Sequence, residues 1–85
     1  MDVCGGGTIS VGATSITFEN HHDQTCTLAD CTMSGWPTTD PVVPAKNGAT
    51  PGTLTVQLST SALAGDYTYT PSCCNKRGAP VIKVQ

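Results

Sequence analysis

Apolar and polar residues alternate along most of this chain. Ile9 and Val11 are interleaved with Thr8 and Ser10, Ile16 and Phe18 with Thr17 and Glu19, and Cys26 and Leu28 flank Thr27. Leu54, Val56 and Leu58 alternate with Thr53, Thr55 and Gln57, Tyr67 and Tyr69 with Thr68 and Thr70, and Ile82 and Val84 with Val81 and Lys83. A period of two puts one apolar and one polar face on an extended chain, which is the pattern of a half-buried antiparallel strand. The separating stretches, 11–13, 20–24, 59–65 and 71–78, carry the Gly, Asn, Asp and Pro residues of turns. Residues 30–52 break the rhythm with Pro37, Pro41, Pro44 and Pro51 and the turn pair Asn47-Gly48. They are expected to form a long crossover with a short edge strand near Val42-Val43. Such a crossover between two antiparallel groups is the Greek-key arrangement. The expected fold is all-β, one Greek-key β-sandwich of about seven strands covering residues 1–85. Residues 61–64 offer at most a single helical turn.

The side chains predicted to point inward are Ile9, Val11, Ile16, Phe18, Leu28, Leu54, Val56, Leu58, Tyr67, Tyr69, Ile82 and Val84. Trp36, in a Gly35-Trp36-Pro37 turn, is off this pattern and is expected to cap one end of the sandwich. Composition agrees with strands. Thr, Ser and Gly supply the polarity while charged residues are only 12% of the chain, a mixture poor in strong helix formers. With 85 residues there is material for one core and no second domain.

Charge narrows the function. The net charge is −2 and the cations are Lys46, Lys76, Arg77 and Lys83, of which only Lys76-Arg77 adjoin. A nucleic-acid binder needs clustered cations, so no nucleic acid is expected as a partner. No apolar run approaches the roughly 18 residues of a transmembrane helix. The acids Asp2, Glu19, Asp23, Asp30, Asp40 and Asp66 show no paired spacing for acid-base chemistry. Gly5-Gly6-Gly7 lacks the Lys-Ser/Thr and helix of a phosphate loop. The chain is not expected to be an enzyme.

Five cysteines carry the chemical interest: Cys4, Cys26, Cys31, Cys73 and Cys74. Small domains often compensate for a thin core with disulfides or a metal, and an odd number leaves at least one thiol over. Met1-Asp2 ahead of Cys4 has the look of a start placed after a removed leader, a natural cytosolic start being the alternative. An extracytoplasmic location, periplasmic or secreted, is the expectation. The pair His21-His22 lies in a polar loop of Asn, Asp and Gln just upstream of Cys26. Alone it reads as two solvated histidines. No Cys-x₂-Cys pair exists for a zinc-finger pattern, and Met33 is expected to pack rather than ligate.

Two segments resemble the cupredoxin family. Residues 16–28, Ile-Thr-Phe-Glu-Asn-His-His-Asp-Gln-Thr-Cys-Thr-Leu, are similar to the strand ending Phe-x-Asn that runs through a polar loop into the first copper-binding histidine. Residues 64–71, Ala-Gly-Asp-Tyr-Thr-Tyr-Thr-Pro, resemble the Gly-x-Tyr-x-Tyr strand that leads to the ligand loop, and 78–84 the final strand. The resemblance implies a cupredoxin-like sandwich, but it departs at the ligands. The first ligand histidine falls on Cys26, the loop cysteine near Pro71 and the loop histidine near Cys74, with no methionine after it. A blue-copper site needs two histidines and one cysteine in a plane, so electron transfer is the least favoured function. What the resemblance does imply is that Cys26 and Cys73 or Cys74 meet on neighbouring loops at one end. Such thiols either form a disulfide, with Cys26–Cys74 the preferred pairing and Cys4–Cys31 second, or hold copper or zinc together with His21 or His22.

Two functions follow. The first is a metal-binding module using His21, His22, Cys26, Cys73 and Cys74. The second is a disulfide-stapled structural or interaction domain that binds a protein partner or self-assembles through a sheet edge or the Pro-rich crossover. They separate on Cys26→Ser. If Cys26 is a ligand, the fold survives and metal is lost; if it is a staple, stability falls by about 2–5 kcal/mol.

Overall fold

In the computed structural model, which describes residues 1–75 and 78–85, the alternating segments are strands. The adjoining cations Lys76-Arg77 lie outside the described residues. The strands are β1 (Gly7–Ile9), β2 (Ser15–Asn20), β3 (Cys26–Ala29), β4 (Val42–Val43), β5 (Gly52–Gln57), β6 (Gly65–Thr68), β7 (Thr70–Pro71) and β8 (Val81–Val84). They form three small sheets of order β1-β8-β6, β2-β5 and β4-β3-β7, and no helix occurs among the described residues. The protein is all-β, and the short strand in the Pro-rich crossover is present as β4.

The longest ladder joins β2 and β5 antiparallel, from Ser15 opposite Gln57 to Asn20 opposite Gly52. Along β2 the residues are exposed and buried in strict alternation, with Ile16, Phe18 and Asn20 inside. Two features differ from the sequence expectation. First, β1 runs parallel to β8, although its period-two pattern was that of an antiparallel strand. Parallel neighbours need a long connection, and here the whole intervening chain provides it. Second, the single strand expected through Tyr67 and Tyr69 is divided. β6 pairs with β8, whereas β7 leaves that sheet and pairs with β3. Pro71 has no N–H to give a ladder, and β7 lies at the edge of its sheet, where a proline is tolerated. Tyr69 sits at the break, fully buried, its hydroxyl donating to the Val3 carbonyl at 2.8 Å.

Phe18 is the centre of the core. Trp36 meets its ring edge-on at 6.2 Å and Tyr69 at 5.6 Å, the T-shaped geometry that aromatic quadrupoles favour. Of the residues expected inside, Ile16, Phe18, Leu28, Val56, Leu58, Tyr69, Ile82 and Val84 are buried, while Ile9, Leu54 and Tyr67 pack against the core partly exposed. Val11 is a correction. β1 ends at Ile9, and Val11 stands 53% exposed in the turn that follows. Its place is taken by Val3, Met33, Val43 and Ala62, none of which belongs to a long alternating run. The helical turn at 61–64 does not form. Ala62 instead donates its N–H to the Ala13 carbonyl and accepts from Gly12, so backbone pairing outcompetes a local turn. Trp36 is half-buried, and its indole N–H has no partner, for which the surrounding structure gives no reason.

Burial lifts the Tyr69 hydroxyl well above the ordinary tyrosine range, and the nearby Asp2 carboxylate adds to the shift. The folded state therefore keeps this proton after the unfolded chain has lost it. The Tyr69 contribution to stability should be level up to about pH 9 and fall above the ordinary tyrosine value of about 10, with a slope approaching 1.4 kcal/mol per pH unit. Urea unfolding of wild type between pH 7 and 10.5 checks this. Tyr69→Phe should weaken that alkaline slope and cost about 1–3 kcal/mol at pH 7, because the Val3 carbonyl loses its donor.

Candidate metal-binding site

The chain start is not a free tail. The Glu19 N–H donates to the Met1 carbonyl at 2.8 Å and the Val3 N–H to the Glu19 carbonyl at 3.0 Å, which lays residues 1–3 along the end of β2. Val3 is fully buried and anchors the segment. The chain then turns at once, with the Asp2 carbonyl accepting from the N–H groups of Gly5 and Gly6. Gly6 has φ of +66°, and a Cβ there would overlap the Val81 carbonyl, so only glycine fits. This turn leaves Cys4 at the rim of the molecule, beside the loop after β2.

That loop is shaped by Asn20, whose side chain is fully buried. Its amide nitrogen donates to the Gln24 carbonyl at 2.8 Å and the Pro44 carbonyl at 3.0 Å, and its oxygen accepts the His22 N–H at 2.9 Å. The His22 carbonyl in turn accepts the Lys46 N–H at 2.9 Å. His22 is thus held by its backbone from both sides, and its Nε2 lies 3.1 Å from the Cys4 sulfur. His21 points elsewhere. It is exposed, with Nε2 3.6 Å from the Glu19 carboxylate.

The last loop is placed by the register of β3 and β7. Leu28 faces Pro71, and the pairing continues as Ser72 exchanges hydrogen bonds with Thr27. One step further, Cys26 faces Cys73. Their Cα atoms are 5.0 Å apart and the sulfurs are at disulfide distance. Cys74 follows on the other side and meets Cys4, also at disulfide distance, with Cα atoms 5.7 Å apart. Both Cα separations lie inside the usual range of about 4.4–6.8 Å. The expected pairings Cys26–Cys74 and Cys4–Cys31 are therefore corrected to Cys26–Cys73 and Cys4–Cys74. The first fails by one residue of register, since position 73 and not 74 stands opposite Cys26. Cys31 is the free thiol, half-buried, and burial raises its pKa while a backbone hydrogen bond at Met33 partly offsets the rise. Met33 is buried in the core, as its packing role required.

The sulfurs of Cys73 and Cys74 are 3.7 Å apart. Together the sulfurs of Cys4, Cys73 and Cys74 and a ring nitrogen of His22 lie within 4.8 Å of one another, a grouping that can hold a metal ion. Metal–sulfur bonds of about 2.3 Å and metal–nitrogen bonds of about 2.0–2.1 Å set neighbouring donors of a tetrahedral site roughly 3.5–3.8 Å apart. Cys73 and Cys74 meet this spacing, whereas the Cys4 and Cys74 sulfurs are at bonding distance and must part before an ion can enter. Of the five ligands expected from sequence, His22, Cys73 and Cys74 are brought together. His21 and Cys26 are outside the group, although His21 helps line the open groove in front of it. Cys4 was not foreseen as a ligand. Its only sequence signal is the glycine run after it, which makes the turn that returns the chain beside the last loop.

No protein-family model, curated protein or solved structure matches the chain.

With two bridges closed, the unreduced protein should show one alkylatable thiol, at Cys31. It should react more slowly than a small-molecule thiol at pH 8, because burial hinders access and disfavours the thiolate. Mass spectrometry after iodoacetamide treatment, with and without denaturant, checks both points. More than one label on the native unreduced protein would contradict the pairing.

Proposed function

We propose that this chain is a small extracytoplasmic metal-binding module that takes copper or zinc through Cys4, His22, Cys73 and Cys74. The observation that carries the reading is the convergence of these four donors within 4.8 Å from three separate segments of the chain. Thiolate with imidazole is the donor set that soft and borderline first-row ions prefer, and no carboxylate is among the four. A hard ion such as calcium or magnesium would find no oxygen cage here. The backbone clamp on His22 supports the reading further, since a ligand fixed before the metal arrives loses little freedom on binding. The reading includes a cupredoxin-like Greek-key sandwich, for which the all-β strand content is the support. On that fold the site would occupy the loop end while differing from the family in its ligands.

A second reading is favoured by a specific observation. The same sulfurs stand at disulfide distance in two pairs, which suits a stapled structural or interaction domain. The two readings describe different oxidation states of one set of atoms, so a single experiment separates them. Fully reduced protein, desalted under argon and offered Cu(I) or Zn(II), should retain one equivalent against a mild chelator. His22→Ala should lower the affinity at least tenfold, as loss of even an outer-shell partner commonly costs about 10–100-fold. His21→Ala should leave it unchanged. Cys26→Ser should leave affinity unaltered but cost about 2–5 kcal/mol of stability in the oxidised protein, through loss of a long-range bridge. Reduced protein that keeps its fold and retains neither metal would exclude the module and leave the stapled domain.

A further inference from the structure

The two cysteine pairs differ in access. Cys26 and Cys73 are 0% and 4% exposed, so the inner pair is buried although Cys73 forms part of the groove wall. Cys4 and Cys74 are partly exposed and border two concavities. One is the open groove lined also by His21, His22 and Asp2, with the nearly buried Cys73 in its floor. The other is bounded by Thr70, Pro71 and Ala79. Thiol–disulfide exchange proceeds by attack of a thiolate on a sulfur it can reach, so access orders the two reductions.

From this we propose that three of the four donors act first, while only the outer bridge is open. Reduction of Cys4–Cys74, with Cys26–Cys73 kept closed, produces a three-donor Cys4, Cys74 and His22 set that selects Cu(I) over Zn(II), and reoxidation releases the ion. The inference rests on the metal-binding reading above and specifies its metal and its regulation. The chemistry balances with a thiol reductant. One external thiolate attacks the outer bridge, forming a mixed disulfide and releasing the other protein sulfur as a thiolate. A second external thiol resolves the mixed disulfide. Two external thiols become one disulfide, and Cys4 and Cys74 gain two electrons and two protons. Cu(I) then displaces one proton from each thiol, with no change in oxidation state. When a disulfide oxidant removes two electrons from the two sulfurs, the Cys4–Cys74 bond re-forms and Cu(I) leaves unchanged.

The choice of metal follows from donor number. While Cys73 remains bonded to Cys26 its sulfur is not a thiolate, and three protein donors remain. Cu(I) is satisfied by two thiolates and one imidazole. Zinc on the same three donors must complete its tetrahedron with water and is held less firmly than in a closed site of four protein ligands. Opening the inner bridge adds Cys73 and converts the set to one that suits zinc. Only the sulfurs of Cys4 and Cys74 must move, from bonding distance to the separation of two ligands. The Asn20 clamp already presents the His22 nitrogen 3.1 Å from one of them.

The test is a graded reduction of the full chain with a monothiol, sampled by acid quench and alkylation, with Cu(I) and Zn(II) retention measured on each species against chromophoric chelators. We expect three labels first, on Cys4, Cys31 and Cys74, and five only under stronger reduction or denaturant. Before labelling, the form with three free thiols should hold one Cu(I) at least a hundredfold more tightly than the oxidised protein and should lose Zn(II) to the chelator. Adding oxidised thiol should release the Cu(I) and restore the one-label pattern. Cys4→Ser/Cys74→Ser, which retains the inner bridge, should bind neither ion. If Cys26 and Cys73 are labelled first or together with the outer pair, the ordering is overturned. If only the form with five free thiols binds metal, the regulation and the three-donor set are overturned while the metal-binding reading stands. If no species binds, the metal-binding reading itself is lost.

Discussion

The loop end of this molecule depends on the burial of one amide. Asn20 is the only polar residue among the buried side chains of the described residues. A buried amide left without partners would be costly, typically about 1–3 kcal/mol for each unmet group, so the surrounding backbone must supply them. It does so from three directions: Gln24 in the same loop, Pro44 at the end of the crossover and His22 two residues on. One side chain therefore closes the loop, ties the Pro-rich crossover to β2 and fixes a histidine. The approach of Pro44 is close enough that a Cβ at Gly52, opposite Asn20 in the ladder, would overlap its carbonyl. Glycine at that position and asparagine across from it are two halves of one packing arrangement.

The second constraint is register. Because Leu28 faces Pro71, Cys26 faces Cys73, and Cys74 is left to find Cys4. Adjacent cysteines thereby serve two partners 22 positions apart in sequence, and the bridges are nested, the outer spanning 70 residues and the inner 47. Nesting gives each a separate task. The inner bridge joins β3 to the segment after β7 within the core. The outer joins the chain start to that same segment at the surface. A core with Phe18, Tyr69 and a set of aliphatic residues is small for a domain, and such cores commonly need covalent or metal cross-links.

Strands were legible in the sequence because period two survives wherever one face is buried. Ile16, Phe18, Val56, Leu58 and Ile82 are placed by that rule alone, and even the edge strand at Val42-Val43 was visible between its prolines. Contacts made by short or irregular segments were not. Val3 and Ala62 reach the core from turns with no periodicity, and nothing local announces that Tyr69 marks a change of sheet. The site shows the same division. His22, Cys73 and Cys74 could be nominated from residue type and loop position. Cys4 could not, since its approach depends on residues 1–3 lying along β2 by backbone hydrogen bonds that any sequence could make. The pairing error has equal resolution. Loop proximity was enough to say that Cys26 meets the Cys73-Cys74 pair, but choosing between them needs register to a single residue, which turn chemistry around Pro71 decides.

On the proposed function, stability and binding would draw on the same few sulfurs, and that overlap would let a module of this size exchange one for the other. A disulfide between Cys4 and Cys74 restricts the unfolded chain by joining its start to its last loop. A metal held by the same two sulfurs and His22 joins the same segments, and adds the loop after β2. Any agent that binds only the folded arrangement stabilises it by mass action, so on this proposal an ion bound there would substitute for the bond it displaces. The open, reduced and metal-free form is the only one that lacks this outer connection. The buried inner bridge and the Asn20 clamp are the features that would keep that form folded long enough to load, because both lie inside the protein and neither takes part in the exchange.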